Sequence, residues 1–204
     1  MGAETRVGIF VDAQNIYHSA KNLHGARVNF VELKRAVLAG RSASRAFAYV
    51  VKSEGVGVAP PHLPEEGVSG EKSFFEALQA AGFELRLKDI QIYPGGQKKA
   101  DWDVGLAIDA VRTALSYDVA VLVTGDGDFI PLVEYLKWGL GKRVEVAGFS
   151  RTTSGKLKEA ADVFKELDKI PKMLIPIRRN RGEAGSRSEG RGRSKGNAMR
   201  SRRK

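Results

Sequence analysis

Two carboxylates stand two residues apart where an apolar run ends, in Val119-Ala120-Val121-Leu122-Val123-Thr124-Gly125-Asp126-Gly127-Asp128-Phe129. Five apolar, mostly β-branched residues read as a buried strand, and a helical pattern starts at Phe129. A turn between strand and helix falls at the carboxyl edge of a parallel sheet, where α/β proteins bind ligands. Acids packed there repel each other unless something positive stands between them. A divalent cation is the simplest such partner. Asp12 ends a second apolar run, Arg6 to Val11, and so shares that edge. Asp103 opens the amphipathic stretch before Val119. It takes the opposite edge if that helix simply spans the sheet, and the same edge if the helix starts near the carboxyl ends after the Pro94–Lys99 loop.

Each acid also has a purely structural use. Asp12, Asp101 and Asp128 suit helix N-caps, Asp103 suits the positive end of a helix dipole, and Asp126 suits a turn. Several such coincidences beside apolar strands are needed to explain them all away, so the metal reading is preferred. Clustered carboxylates select hard cations, which makes Mg²⁺ or Mn²⁺ the expected cofactor. Ions held there activate water and stabilise the leaving oxygen of a phosphodiester. Asp12 and Asp126 are read as direct ligands, with Asp103 and Asp128 acting through water or on a second ion.

Neutral and basic neighbours complete the candidate site. Asn15 and Thr124 could orient water or a substrate phosphate. Lys98 and Lys99, on a Gly-rich loop before the acidic helix, could meet a nucleic-acid backbone or simply be solvated. Arg151 and Ser154, with Thr152 and Thr153, form a polar turn on the same edge and are weaker phosphate contacts. Of the aromatic residues near these segments, Phe129 and Trp138 read as core, and Trp102 is a candidate for stacking on a base.

Other chemistries lack their residues. The chain has no cysteine, which removes disulfides, thiolate catalysis and cysteine-based zinc sites. His18, His24 and His62 have no metal-binding spacing and read as surface positions. No nucleophile elbow, P-loop or dinucleotide-binding glycine pattern is present. Asp12-Ala13-Gln14 lacks the second acid of an aspartyl-phosphate motif, and no glutamate closes a calcium loop. There is no apolar run of membrane-spanning length and no signal-peptide pattern. A soluble cytosolic (cytoplasmic) protein is the expectation.

Strands and helices alternate along the first 168 residues. Strands are expected at Arg6–Val11, Ala46–Val51, Phe83–Tyr93, Val119–Val123 and Arg143–Ala147. Helices are expected after Asp12 to about Leu23, at Phe30–Ala39 with Asn29 as cap, and at Glu71–Ala81. Further helices are expected at Asp101–Leu115, Phe129–Trp138 and Gly155–Ala161. The Asp101–Leu115 helix is amphipathic, with Val104, Ala107, Ile108, Val111 and Leu115 on one stripe. Residues 53–70, with three prolines and four glycines, read as a loop that is a substrate lid or a partner surface. The alternation predicts an α/β fold built on a mostly parallel sheet.

The formal net charge is +10, and it is concentrated. Arg178 to Lys204 holds 11 of the 34 basic residues and 2 of the 24 acidic ones, so this tail carries nine of the ten net charges. It is rich in Gly and Ser and nearly empty of large apolar residues. Such a segment cannot offset its ordering entropy by burial and reads as disordered. A flexible basic tail suits contact with nucleic-acid backbones, or else serves only solubility. The domains expected are therefore 5–168, an apolar extension over 169–177, and the tail over 178–204.

Three segments together resemble the NYN domain family, in its LabA-like branch. They are Ile9-Phe10-Val11-Asp12-Ala13-Gln14-Asn15, Lys98-Lys99-Ala100-Asp101-Trp102-Asp103-Val104-Gly105-Leu106-Ala107-Ile108-Asp109 and Val123-Thr124-Gly125-Asp126-Gly127-Asp128-Phe129. Lys142-Arg143-Val144-Glu145-Val146 resembles the strand that follows. The resemblance implies a PIN-like three-layer sandwich with helices on both sides of the sheet. It also implies a metal-dependent ribonuclease acting on single-stranded or structured RNA. By position, Asp12, Asp103, Asp126 and Asp128 match the family's acidic quartet, and Asn15 matches the Asn beside the first acid. The resemblance brings the third acid into the same pocket and favours Asp103 over the extra Asp101 for it. Asp109 is then second to the site or structural. The alternative is a non-catalytic RNA-binding or regulatory protein of the same fold. PIN-like folds often pair, so a homodimer is among the expected states.

Overall fold

The chain alternates strand and helix: β1 (Arg6–Asp12), α1 (Ala13–His24), β2 (Ala26–Val28), α2 (Phe30–Leu38), β3 (Ser42–Lys52), α3 (Glu65–Ala80), β4 (Glu84–Asp89), β5 (Gln91–Ile92), β6 (Lys98–Lys99), α4 (Asp103–Arg112), β7 (Val119–Val123), α5 (Ile130–Glu134), β8 (Arg143–Gly148), α6 (Gly155–Ala160), β9 (Val163–Glu166) and β10 (Leu174–Pro176). The computed structural model describes residues 4–52, 65–89, 91–92, 98–99 and 102–177 of the 204. For 65–69, 91–92 and 98–99 the backbone alone is described. The expectations for the 53–64 loop, for Asp101 and His62, and for the 178–204 tail lie outside the described residues.

Six strands form one sheet in the order β4-β3-β1-β7-β8-β9, and every pairing in it is parallel. From β1 the chain builds outward through β3 to β4, then crosses back and builds the other way through β7, β8 and β9. The order therefore reverses between β1 and β7, and a crevice opens outside the carboxyl ends of those two strands. Both are buried on both faces, as parallel strands covered by helices must be. Apolar residues of α1, α2 and α3, among them Ile16, Leu33 and Leu78, cover one face. Leu106 of α4, Leu132 of α5 and Leu157 of α6 cover the other. The expected three-layer α/β architecture is what forms.

The ends of α1 and α2 follow the sequence chemistry. Asn29 caps α2 by accepting the Glu32 N–H at 3.2 Å. Gly25 closes α1 at φ 57°, a left-handed conformation that glycine adopts without a Cβ penalty. Several expectations need correction. Residues 65–70 belong to α3 rather than to the preceding loop. The Phe83–Tyr93 strand is broken: β4 ends at Asp89, and Gln91–Ile92 instead pairs antiparallel with Lys98–Lys99 in a separate ribbon. Lys98 and Lys99 thus lie in a short strand, not in the loop. The Phe129–Trp138 helix starts as a 3₁₀ turn at Gly127–Phe129 and ends as a π turn at Tyr135–Gly139. Trp138 is not core but 82% exposed. It follows the inward Leu136 by two residues, which puts it on the far side of the helix. Three further strands were not anticipated: β2 and β10, which pair antiparallel, and the edge strand β9.

The most informative departure is α4. The amphipathic pattern alone would turn Val104, Ile108, Val111 and Leu115 to the core, yet all four are exposed. The buried side is Leu106, Asp109 and Ala110, continued by Ala114 in a 3₁₀ turn. The sheet beneath is crowded with Phe10, Phe47, Tyr49 and Tyr117, so mostly small residues fit against it. Asp109 is buried because the sheet supplies partners. The Tyr49 hydroxyl donates to it at 3.2 Å, Arg86 Nε at 3.0 Å, and Arg112 from its own helix at 2.5 Å. Burial, with Asp109 beside it, raises the Tyr49 pKa, so this hydroxyl keeps its proton as a donor. Asp109 therefore fixes which side of α4 meets the sheet. Asp109→Ala would strand Arg86 and the Tyr49 hydroxyl, and should cost about 2–4 kcal/mol in urea unfolding. A change under about 0.5 kcal/mol would remove that role.

Candidate active site at the sheet switch point

Parallel pairing of β1 with β7, in the register Val11↔Val123, sets Asp12 beside Thr124 at the carboxyl edge. The Thr124 hydroxyl donates to Asp12 Oδ2 at 3.2 Å and accepts the Asp126 N–H at 3.2 Å. One buried hydroxyl thus ties the two acidic positions together. Asp12 also caps α1, accepting the Asn15 N–H at 3.1 Å. The Asn15 side-chain oxygen accepts the Gly125 N–H at 2.9 Å, joining the first turn of α1 to the acidic turn. Asp126 caps the 3₁₀ turn by accepting the Asp128 N–H at 2.9 Å. Asp128 itself is exposed at the rim.

Asp103 lies in the first turn of α4. Its edge is settled by β4, which is parallel to β3 and so ends at the carboxyl side. The chain enters α4 there and runs back beneath the sheet to start β7. Opposite-edge placement is therefore not what occurs. The carboxyl of Asp12 is pushed up to about 6, chiefly by burial, with the charges of Asp103 and Asp126 adding to the rise. Hydrogen bonds from Asn15 and Thr124 oppose it. The Asp12 carboxyl thus senses both Asp103 and Asp126. The N-termini of α1, α4 and the 3₁₀ turn converge on it and partly offset their repulsion.

The turn after β8 closes the other side. The Ser154 N–H donates to the Gly125 carbonyl at 2.9 Å. A Cβ on Gly125 would stand 2.8 Å from the Thr152 carbonyl oxygen, and one on Gly127 would stand 3.0 Å from Ser154 Oγ. The glycines let the two turns approach. Arg151 and Thr152 are exposed there and Ser154 half-buried. Thr152 Oγ1 and Ser19 Oγ are hydrogen-bonded at 3.0 Å, a contact the sequence reading missed. The signal was present: Asp12, Asn15 and Ser19 recur on one helical face. Lys98 and Lys99 enter α4 by backbone position, and their side chains lie outside the described residues. Trp102, the stacking candidate, is pinned: its indole N–H donates to the Val50 carbonyl at 2.9 Å, and its ring meets Tyr49 edge-on at 5.5 Å between centroids.

The donor set suits a hard divalent cation, since it is built of carboxylates whose mutual repulsion such a cation relieves. Among the described residues, however, no group of three His, Cys, Asp or Glu side chains is placed to hold an ion.

Two outcomes follow from this geometry. Gly125→Ala meets backbone, which cannot swing aside, so it should destabilise the protein by about 1–3 kcal/mol in thermal or urea unfolding; an unchanged midpoint would show that the turns have slack. In EDTA, folded Asp12 holds its proton to about pH 6, whereas the unfolded chain releases it near 3.8. Stability should therefore fall as pH rises through that window, and Asp12→Asn should lack this loss. The difference between the two proteins should change by on the order of 2 kcal/mol between about pH 4 and pH 7. Parallel pH profiles would rule out a raised Asp12.

Residues 6–168 match the model of the NYN domain. The low amplitude and bright protein LabA of Synechococcus elongatus is 28% identical over 106 residues, covering 49% of this chain and 56% of LabA. The chain thus aligns with only about half of that relative. A crystal structure of a protein of unknown function from Vibrio parahaemolyticus, VPA0982, superposes with a TM-score of 0.73 at 30% identity, covering 86% of this chain and 99% of that one. With the family model spanning most of its length, the chain belongs to the NYN domain family.

Proposed function

We propose that the protein is a Mg²⁺- or Mn²⁺-dependent ribonuclease whose active site is the crevice between β1 and β7. The observation that carries this reading is the convergence of Asp12, Asp103 and Asp126 at the switch point, with the Asp12 carboxyl raised by burial and by its acidic neighbours. NYN membership and the order of the three acidic segments support it. Asp12 and Asp126 would hold the ion, while Asp103 and Asp128 would act through water. Bound there, the ion would supply an activated water and charge stabilisation for a phosphodiester.

The chain's own residues do the rest. Thr124 and Asn15 would be positioning residues: their hydrogen bonds hold Asp12 and the Gly125–Asp126 turn together. Arg151 and Ser154 stand on the facing turn, where they would meet substrate phosphate. Lys98 and Lys99 approach from the ribbon before α4. The basic 178–204 tail would add sequence-independent contact with the RNA backbone.

A second reading is a non-catalytic RNA-binding protein. One experiment separates the two. Labelled single-stranded RNA is incubated with Mn²⁺ or Mg²⁺, beside EDTA and beside Asp126→Asn. The nuclease reading expects metal-dependent cleavage that falls at least about 100-fold in the variant, with RNA affinity retained. Equal cleavage by both proteins, or RNA binding without cleavage, would overturn it.

A further inference from the structure

β3 is 11 residues long and its neighbour β4 is 6, so the sheet has a notch. β4 begins with Glu84 opposite Phe47. Residues 42–46 therefore run on with no strand on their outer side among the described residues. The chain enters β4 through Gly82, at φ 76°, rather than through a longer strand. Beside the open edge lies a cleft of about 260 Å³, lined by Lys34 of α2, residues 43–46 of β3, Gly82 and Glu84. This is the amino end of the sheet, away from the acidic crevice. Arg45 pairs with Gly8, four residues before Asp12 on β1, or roughly 13 Å along the strand.

Edge, bulge and charge together give the cleft its chemistry. A strand edge presents N–H and C=O groups that a further strand satisfies. The β1 ladder runs Val7↔Ala43 and then Gly8↔Arg45, which leaves Ser44 as an extra residue. Parallel ladders rarely bulge, and a bulge re-aims the side chains around it. Ser44 Oγ donates to the Val7 carbonyl at 3.2 Å and stitches the bulge in place. Arg45 is exposed, and its guanidinium has no ion-pair partner among the described residues. Lys34 is half-buried, and its Nζ donates to the Gly82 carbonyl at 2.7 Å. Burial lowers the Lys34 pKa, a cost that a carboxylate beside it would offset. Glu84, the acid of the lining, is already held by Arg86 at 2.6 Å.

We propose that this notch docks an extended acidic peptide of a partner protein, which lies along residues 42–46 as a short added strand. The strand edge supplies the backbone hydrogen bonds, and the two cations select the side chains. Lys34 belongs to α2, on the face where Ala46 packs, and Arg45 alternates to the other face. Two consecutive acidic residues, one on each face, meet both. The 178–204 tail does not suit the notch, since it carries 11 basic and 2 acidic residues. RNA suits it less well than peptide. Phosphates could meet the two cations, but they only accept hydrogen bonds and would face the outward carbonyls of the strand. The inference does not rest on the nuclease reading.

The test uses the full-length, ¹⁵N-labelled protein at about 0.3 M salt, which screens contacts of the basic tail. The probe is the hexapeptide Thr-Val-Glu-Glu-Val-Thr, acetylated and amidated. Beside it run the same peptide with two central lysines and a hexauridine RNA. Amide signals of residues 43–46 and Gly82 should shift saturably with the glutamate peptide. The lysine peptide should bind there at least about fivefold more weakly, and Arg45→Glu should weaken the glutamate peptide by a similar factor. Arg45 is exposed, so the variant should keep the rest of its spectrum. Shifts confined to the tail, or no saturable shift, would overturn the inference. So would equal binding of the two peptides, indifference to Arg45→Glu, or a larger response of the cleft to the RNA.

Discussion

Everything at the candidate site depends on one strand pairing. β1 and β7 are far apart in sequence, yet their parallel ladder sets the end of each beside the end of the other. A one-residue slip in that register would turn every side chain of the slipped strand to the opposite face. Both strands are buried on both faces, so such a slip would still bury apolar atoms, but it would exchange the residues facing α1 for those facing α4. The side chains beneath the two helical layers differ in size: Ile9 and Val121 belong to one layer, Phe10 and Leu122 to the other. Gly8 fixes the register further, because the Tyr117 ring occupies the space a Cβ would take. Core shape, rather than polar contact, therefore decides where Asp12 and Asp126 meet.

The polar groups then refine what the core has placed. Thr124 reaches Asp12 with its hydroxyl proton and Asp126 with a lone pair, which no apolar isostere reproduces. Asn15 does the same across the α1 boundary through its backbone N–H and side-chain oxygen. Both residue types were read from sequence as groups that orient water or phosphate. In the fold both also hold the acidic turn through hydrogen bonds of their own. Two carboxylates drawn close at a buried edge lose solvation and repel, and the raised Asp12 records that cost. Such strain persists where the surrounding fold over-determines it.

The sequence made this edge legible because the signals there are local. A β-branched run, a Gly-punctuated turn and acids at strand ends each need only a few residues to recognise. Asn29 was equally readable as a helix cap. The orientation of α4 was not readable, because its apolar stripe is the better amphipathic face by composition. What turns the helix over is the size of residues from β1, β3 and the turn before β7, together with Asp109 finding Tyr49 and Arg86. Those partners come from separate segments, so no window around α4 contains them. β9 escaped notice for the same reason: Val163–Glu166 is short, half-buried and mixed in character, and it becomes a strand by pairing with β8.

The inversion of α4 has a consequence for the site at its other end. The helix carries Asp103 in its first turn, Asp109 in its buried middle and the apolar stripe on its outer side. These are fixed at 100° per residue relative to one another, so any rotation that buried the stripe would swing Asp103 away from Asp12 and Asp126. Trp102 guards against that rotation at the helix start through its bond to Val50, and Asp109 guards against it about two turns later. An acid in the crevice and an apolar seam in solvent are therefore two results of one constraint. A helix packed for the core alone would gain burial and lose the third carboxylate. Keeping Asp103 in place leaves the stripe outside.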